Sequence, residues 1–203
     1  LRHSLFTTHS ATRIGFGNAI TFTYQLTPNI MIKLLFLGDS LVADHNWQAH
    51  MSACKVENFG VPGATAEDLL ASLPAVKAKT QNPEVIAIMI GTNDLLAGNN
   101  DFHASLKNIL IELSNDYPTA EIMVTSLLPM LLPHLPENSI SSLNAHIEAL
   151  TMVTGSCFLD IHKRFAASDK QLFQEDGVHL TDAAYAIWTR SLIEHLAFLI
   201  END

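Results

Sequence analysis

Basic residues are scarce in this chain: 11 Lys and Arg stand against 21 Asp and Glu, a formal charge of −10 over 203 residues. A surface of that sign repels phosphate backbones and argues against nucleic acid as a partner. Charged residues of both signs make up only 16%, while hydrophobic residues make up 48%, which fits a folded domain rather than a disordered one. No apolar run approaches the roughly 18 residues of a membrane-spanning helix. Cysteine is nearly absent. Cys54 and Cys157 lie far apart with no C-x-x-C, so we expect two buried thiols in a reducing compartment. Also missing are G-x-G-x-x-G, a Walker loop and H-E-x-x-H, which leaves no local signature for a dinucleotide, a nucleoside triphosphate or a metal. Residues 1–30 lack Asp, Glu and Lys. With no continuous apolar stretch they do not resemble a secretory signal, so a cytoplasmic location is expected. Met31, directly before the first strand, is read as the natural start, and residues 1–30 as an extension of unknown role. Its alternation of Ile20, Phe22, Tyr24 and Leu26 suits an edge strand.

What is present is organised around Met31–Ser40, MIKLLFLGDS. Five of the six residues from Ile32 to Leu37 are apolar, the pattern of a short strand buried on both faces. Gly38 breaks it, and Asp39-Ser40 fall where the chain turns. From there strands and helices alternate. A helix is expected over 42–54, a strand over 56–59, and a turn at Gly60-Val61-Pro62-Gly63. Thr65 caps a helix reaching about Lys79, with Glu67 and Asp68 in its first turn. Strands follow at 85–90, 121–126 and 157–159, with helices at 102–113 and 143–152. Thr181 caps a last helix whose buried stripe is Ile187, Trp188, Leu192, Ile193 and Leu196. Five strands alternating with helices predict one α/β domain with a parallel sheet covered on both faces.

Open α/β sheets place their chemistry beyond the carboxyl ends of their strands. There this chain carries Gly38-Asp39-Ser40, then Pro62-Gly63-Ala64-Thr65, then Gly91-Thr92-Asn93-Asp94, and Asp176-Gly177-Val178-His179 before the last helix. A serine nucleophile needs a base for its proton and a carboxylate holding that base in one tautomer. Ser40, His179 and Asp176 suit those roles. The N–H groups of Ser40 and Gly63 and the side-chain amide of Asn93 suit the oxyanion. Asp39 is expected to hold the nucleophile loop by hydrogen bonds, and Asp94 to cap the segment that follows it.

In that order the four blocks resemble those of the SGNH (GDSL) hydrolases, serine esterases with a flavodoxin-like three-layer α/β/α fold, over roughly residues 32–195. Gly38-Asp39-Ser40-Leu41 matches the nucleophile block, Asn58 to Thr65 the glycine block, Gly91-Thr92-Asn93-Asp94 the third and Asp176-Gly177-Val178-His179 the fourth. The resemblance implies that Ser40, Asp176 and His179 form the triad and that Gly63, rather than Gly60, supplies an oxyanion donor. It implies a small-molecule ester as substrate, and neither a metal nor an organic cofactor. One departure is Ala64, where many relatives carry an acidic residue.

The apolar, proline-rich segment Leu127–Pro136 reads as a loop at the same sheet edge. It is either a buried cover for the core or a wall for an acyl group, with Leu128, Met130 and Leu131 as the candidate contacts. Two other classes stay open at this point: a flavodoxin-like module that binds phosphate, and a carbohydrate-binding relative without catalysis. Neither needs all four of Ser40, Asn93, Asp176 and His179.

Overall fold

The apolar run after Met31 forms an interior strand of a five-stranded sheet. A computed structural model of the chain describes residues 31–130, 136 and 138–201. The alternating stretch at 20–26 and Leu131 lie outside the described residues. The strands are β1 (Ile32–Gly38), β2 (Cys54–Gly60), β3 (Val85–Met89), β4 (Glu121–Thr125) and β5 (Cys157–Leu159). They are all parallel, in the spatial order β2-β1-β3-β4-β5. Parallel strands need crossover connections, and helices supply them on both faces. Helices α3 (Ala66–Lys79), α5 (His103–Asp116) and α6 (Ser139–Thr154) pack side by side, and α7 (Ile161–Ala166) packs on α8 (Asp182–Glu201). This is the three-layer α/β/α arrangement expected. None of the helices among the described residues is long and apolar enough to cross a membrane.

Register sets where the site can form. Gly38 lies level with Gly60 on one side and with Met89 on the other. The turns after β1, β2 and β3 therefore start at one height on one sheet edge. Two glycines let the backbones close up there. A Cβ on Gly38 would stand 2.1 Å from the Met89 carbonyl oxygen, and one on Gly60 would stand 2.5 Å from the Ala43 nitrogen. Only glycine fits at either position.

Several elements differ from the sequence expectation. The single helix over 42–54 is two short ones, α1 (Ser40–Ala43) and α2 (Trp47–His50), because Asn46 breaks the run. Its side chain accepts from the Ala49 N–H and restarts the helix. The residues after Gly91, read only as the polar set beyond β3, form the short helix α4 (Thr92–Leu96), and α7 was not anticipated. Helix α3 passes through Pro74, which takes one N–H out of its ladder. On α8, Ile193 is 46% exposed, so it does not belong to the buried stripe that holds Trp188, Leu192 and Leu196. Being one residue from Leu192, it points about 100° away around the helix. The two free cysteines sit on opposite edge strands, Cys54 buried on β2 and Cys157 half-buried on β5.

Candidate active site

Asp39 and Ser40 turn the chain from β1 into α1. Asp39 is the N-cap, its Oδ1 accepting the Leu41 N–H at 2.9 Å, and its side chain is fully buried. That bond holds the loop as the sequence suggested. Ser40 is the first residue of α1, where an N–H has no acceptor within the helix and is free to face a ligand.

The turn after β2 brings Gly63 to the same edge, its backbone at φ +81°. Nothing lies within 4 Å of where its Cβ would be, so the residue borders open space. No acceptor among the described residues pairs with its N–H. The Gly60 N–H, in contrast, is taken by Asn58 Oδ1 at 2.9 Å. Gly63 is therefore the glycine of this block with a donor to offer.

Gly91, at φ +112°, swings β3 into α4 and leaves Asn93 on the half-exposed side. Asn93 Nδ2 donates to the Ala64 carbonyl at 2.9 Å, which fixes the amide against the glycine turn. Asp94 departs from expectation in part. Its Oδ2 accepts the Ala66 N–H at 2.9 Å, so it caps the start of α3, while its Oδ1 accepts from Asn99 Nδ2 at 3.3 Å in the segment that follows it. Burial pushes its carboxyl above the usual range, and the Ala66 bond opposes that. Together these bonds tie α4 to the β2–α3 turn twice.

The fourth piece is the Asp176–His179 loop. His179 Nδ1 and Asp176 Oδ2 are 2.6 Å apart, and Asp176 Oδ1 accepts the backbone N–H groups of Val178 and His179, each at 2.9 Å. The ring contact first, then those two N–H groups, hold the Asp176 carboxyl down at about 2. A carboxylate on Nδ1 leaves Nε2 as the basic nitrogen of a neutral ring. Both side chains are open to solvent, at 40% and 49% exposure. Among the described residues no hydrogen bond joins Ser40 Oγ to His179. The imidazole is nonetheless near enough that its charge favours ionisation of Asp39, the residue before Ser40. Loose catalytic bonds before substrate binds are common.

Leu128 and Met130 are buried among the core residues, which matches the cover reading of that loop. The amide of Asn144 on α6 pins the loop by bonding both the N–H and the carbonyl of Leu127. Sequence reasoning did not single out Val61 and Leu96. They are 54% and 42% exposed, one on the turn that carries Gly63 and the other on the helix that carries Asn93.

Residues 36–187 match the model of the GDSL-like lipase/acylhydrolase family. The platelet-activating factor acetylhydrolase IB subunit alpha1 of Pongo abelii is 25% identical over 183 residues, covering 84% of this chain and 78% of its own length. A GDSL-like lipase from Bacteroides thetaiotaomicron superposes with a TM-score of 0.67 at 20% identity, over 85% of this chain and 89% of that one. The acetylxylan esterase Axe2 from Geobacillus stearothermophilus gives 0.68 at 21% identity, over 81% and 95%. At those identities the two structures speak for the fold.

Proposed function

The chain belongs to the GDSL-like lipase/acylhydrolase family and is a carboxylic ester hydrolase; from that premise we propose that it is a serine esterase for small or medium acyl esters, with Ser40 as nucleophile, His179 as base and Asp176 as its orienting carboxylate. The observation that carries this reading is the 2.6 Å His179–Asp176 pair on a loop beside the Asp39-Ser40 turn.

Ser40 Oγ attacks the ester carbonyl while His179 Nε2 takes the hydroxyl proton. The tetrahedral oxyanion is held by the N–H groups of Ser40 and Gly63 and by the Asn93 amide hydrogen that the Ala64 carbonyl does not use. His179 then returns the proton to the departing alcohol. Water, deprotonated by the same nitrogen, attacks the acyl-Ser40 ester and frees the acid. Asp176 stays ionised throughout and stabilises the imidazolium. The open face at Gly63 and the solvent-exposed base favour substrates presented from outside over ones enclosed in a tunnel. Two of the similar proteins bear names that specify acetyl groups, which supports the short end of the acyl range.

The test is turnover of p-nitrophenyl esters from acetate to palmitate by wild type and Ser40→Ala. Loss of turnover in Ser40→Ala with an unchanged circular dichroism spectrum is expected. Retained turnover would remove Ser40 from the mechanism.

A further inference from the structure

Two buried oxygens at the site are left without a hydrogen bond of ordinary geometry: Asp39 Oδ2 and Thr92 Oγ1. Both residues are essentially fully buried, at 0% and 2% exposure. They are also neighbours, since the Thr92 side chain is the one side-chain donor acting on the Asp39 carboxyl. A buried hydroxyl and a buried carboxylate oxygen, each lacking a partner and placed next to one another, are costly apart and satisfied together.

Their positions in sequence give this pairing a consequence. Asp39 immediately precedes Ser40, and Thr92 immediately precedes Asn93. We propose that Thr92 Oγ1–H donates to Asp39 Oδ2, and that this bond makes Thr92 a positioning residue that sets the spacing between the nucleophile and the side-chain oxyanion donor. Asp39 Oδ1 is already fixed by the Leu41 N–H, so the carboxyl cannot turn away from Thr92 without losing that bond. The link joins the β1 and β3 turns directly, whereas Asn93 and Asp94 join β3's turn only to the residues after β2.

The charge state follows from the surroundings. Burial pushes the Asp39 carboxyl up to about 6, while the Leu41 N–H, the Thr92 hydroxyl and the His179 charge oppose it. Burial first, then the charges of Asp44 and Asp39, raise the phenol of Tyr185 on α8 above its usual range. Removing the Thr92 donor leaves the ionised carboxylate less satisfied than the neutral acid. The loss of stability should then be larger above the Asp39 titration than below it.

The role of the bond in catalysis rests on the esterase reading; its existence does not. Melting temperatures of wild type, Thr92→Val, Thr92→Ser, Asp39→Asn and the Thr92→Val/Asp39→Asn double variant, at roughly pH 5 and roughly pH 8, test the bond. Thr92→Val should lower the midpoint more at the higher pH, Thr92→Ser should restore it, and the pH difference should vanish in the Asp39→Asn background. A loss independent of pH, or equal in both backgrounds, overturns the bond. With p-nitrophenyl acetate, Thr92→Val should lower kcat on the order of 10–10²-fold with little change in KM, and Thr92→Ser should recover most of it. An unchanged kcat overturns the positioning role. The melting pattern together with turnover that survives Ser40→Ala would keep the bond and discard the esterase mechanism.

Discussion

Tyr185 reaches across 144 residues of sequence to donate its hydroxyl to the Leu41 carbonyl at 3.0 Å, inside the protein. Leu41 follows Ser40, the proposed nucleophile, and Tyr185 stands six positions after His179, the proposed base. The bond therefore clamps the helix that begins behind His179 onto the helix that begins at Ser40.

Tyr185→Phe keeps the ring and its stack on His45, whose centroid lies 4.2 Å away, but leaves the Leu41 carbonyl without its donor. A stability loss of about 1–2 kcal/mol is expected in urea denaturation. Ester turnover should fall with it, because Ser40 and His179 lose their shared anchor. Unchanged turnover in a destabilised variant would separate the clamp from catalysis.

Asn93→Ala removes one proposed oxyanion donor and the tether to Ala64. Turnover of p-nitrophenyl acetate should drop roughly 10²–10³-fold, mainly in kcat. A rate within a few-fold of wild type would place the third donor elsewhere.

Asp176 predicts an acid limit to stability. Its folded carboxyl is held at about 2, below the ordinary value of 3.8, by the His179 ring and two backbone N–H groups. The unfolded chain therefore binds more protons in that window. The stabilisation is complete above about pH 4 and disappears as pH falls toward the folded value. Solvent exposure keeps its size modest. Asp176→Asn should flatten this acid limb in melts taken across that range, and it should lower kcat steeply, on the order of 10⁴-fold, by releasing the imidazole tautomer. A melt profile unaltered by the substitution would show that the pair contributes nothing to the fold.

Val61 and Leu96 predict chain-length preference. Each projects apolar surface to solvent within three residues of a proposed oxyanion donor, and Leu96 shares a helix face with Asn93 at the i, i+3 spacing. Val61→Ser with Leu96→Ser should reduce kcat/KM for hexanoyl and octanoyl esters several-fold more than for acetyl esters, since each buried methylene is worth about 0.8 kcal/mol. An equal loss at every length would mean that neither side chain meets the acyl group.

Much of this was legible in the sequence because it is local. A buried run stopped by glycine marks β1, and a carboxylate three residues before a histidine, with a glycine between them, can close on its ring. The pieces that escaped are long-range. Asp94 capping Ala66, Thr92 beside Asp39 and Tyr185 on Leu41 join residues 28, 53 and 144 apart. No periodicity or short motif encodes such pairs; only the parallel register brings them to one edge. The split of α1 from α2 was missed for the opposite reason. Apolar residues at helical spacing continued through Asp44–Asn46, and one side-chain bond from Asn46 outweighed them.

The cysteines give the sheet a built-in ruler. They are the chain's only two thiols, one on each edge strand, with β1, β3 and β4 between them. Four strand spacings put them about 19 Å apart across the sheet, too far to bridge and well suited to a pair of spectroscopic labels. The two ends are also unequal. Cys54 is buried, whereas Cys157 is half-exposed but bonded to Glu121, its thiol pushed up to about 12 by burial and by that carboxylate. Attachment at Cys157 therefore reports the opening of one edge and attachment at Cys54 the opening of the other, so the order in which the sheet frays can be read as two separate labelling rates without adding a residue.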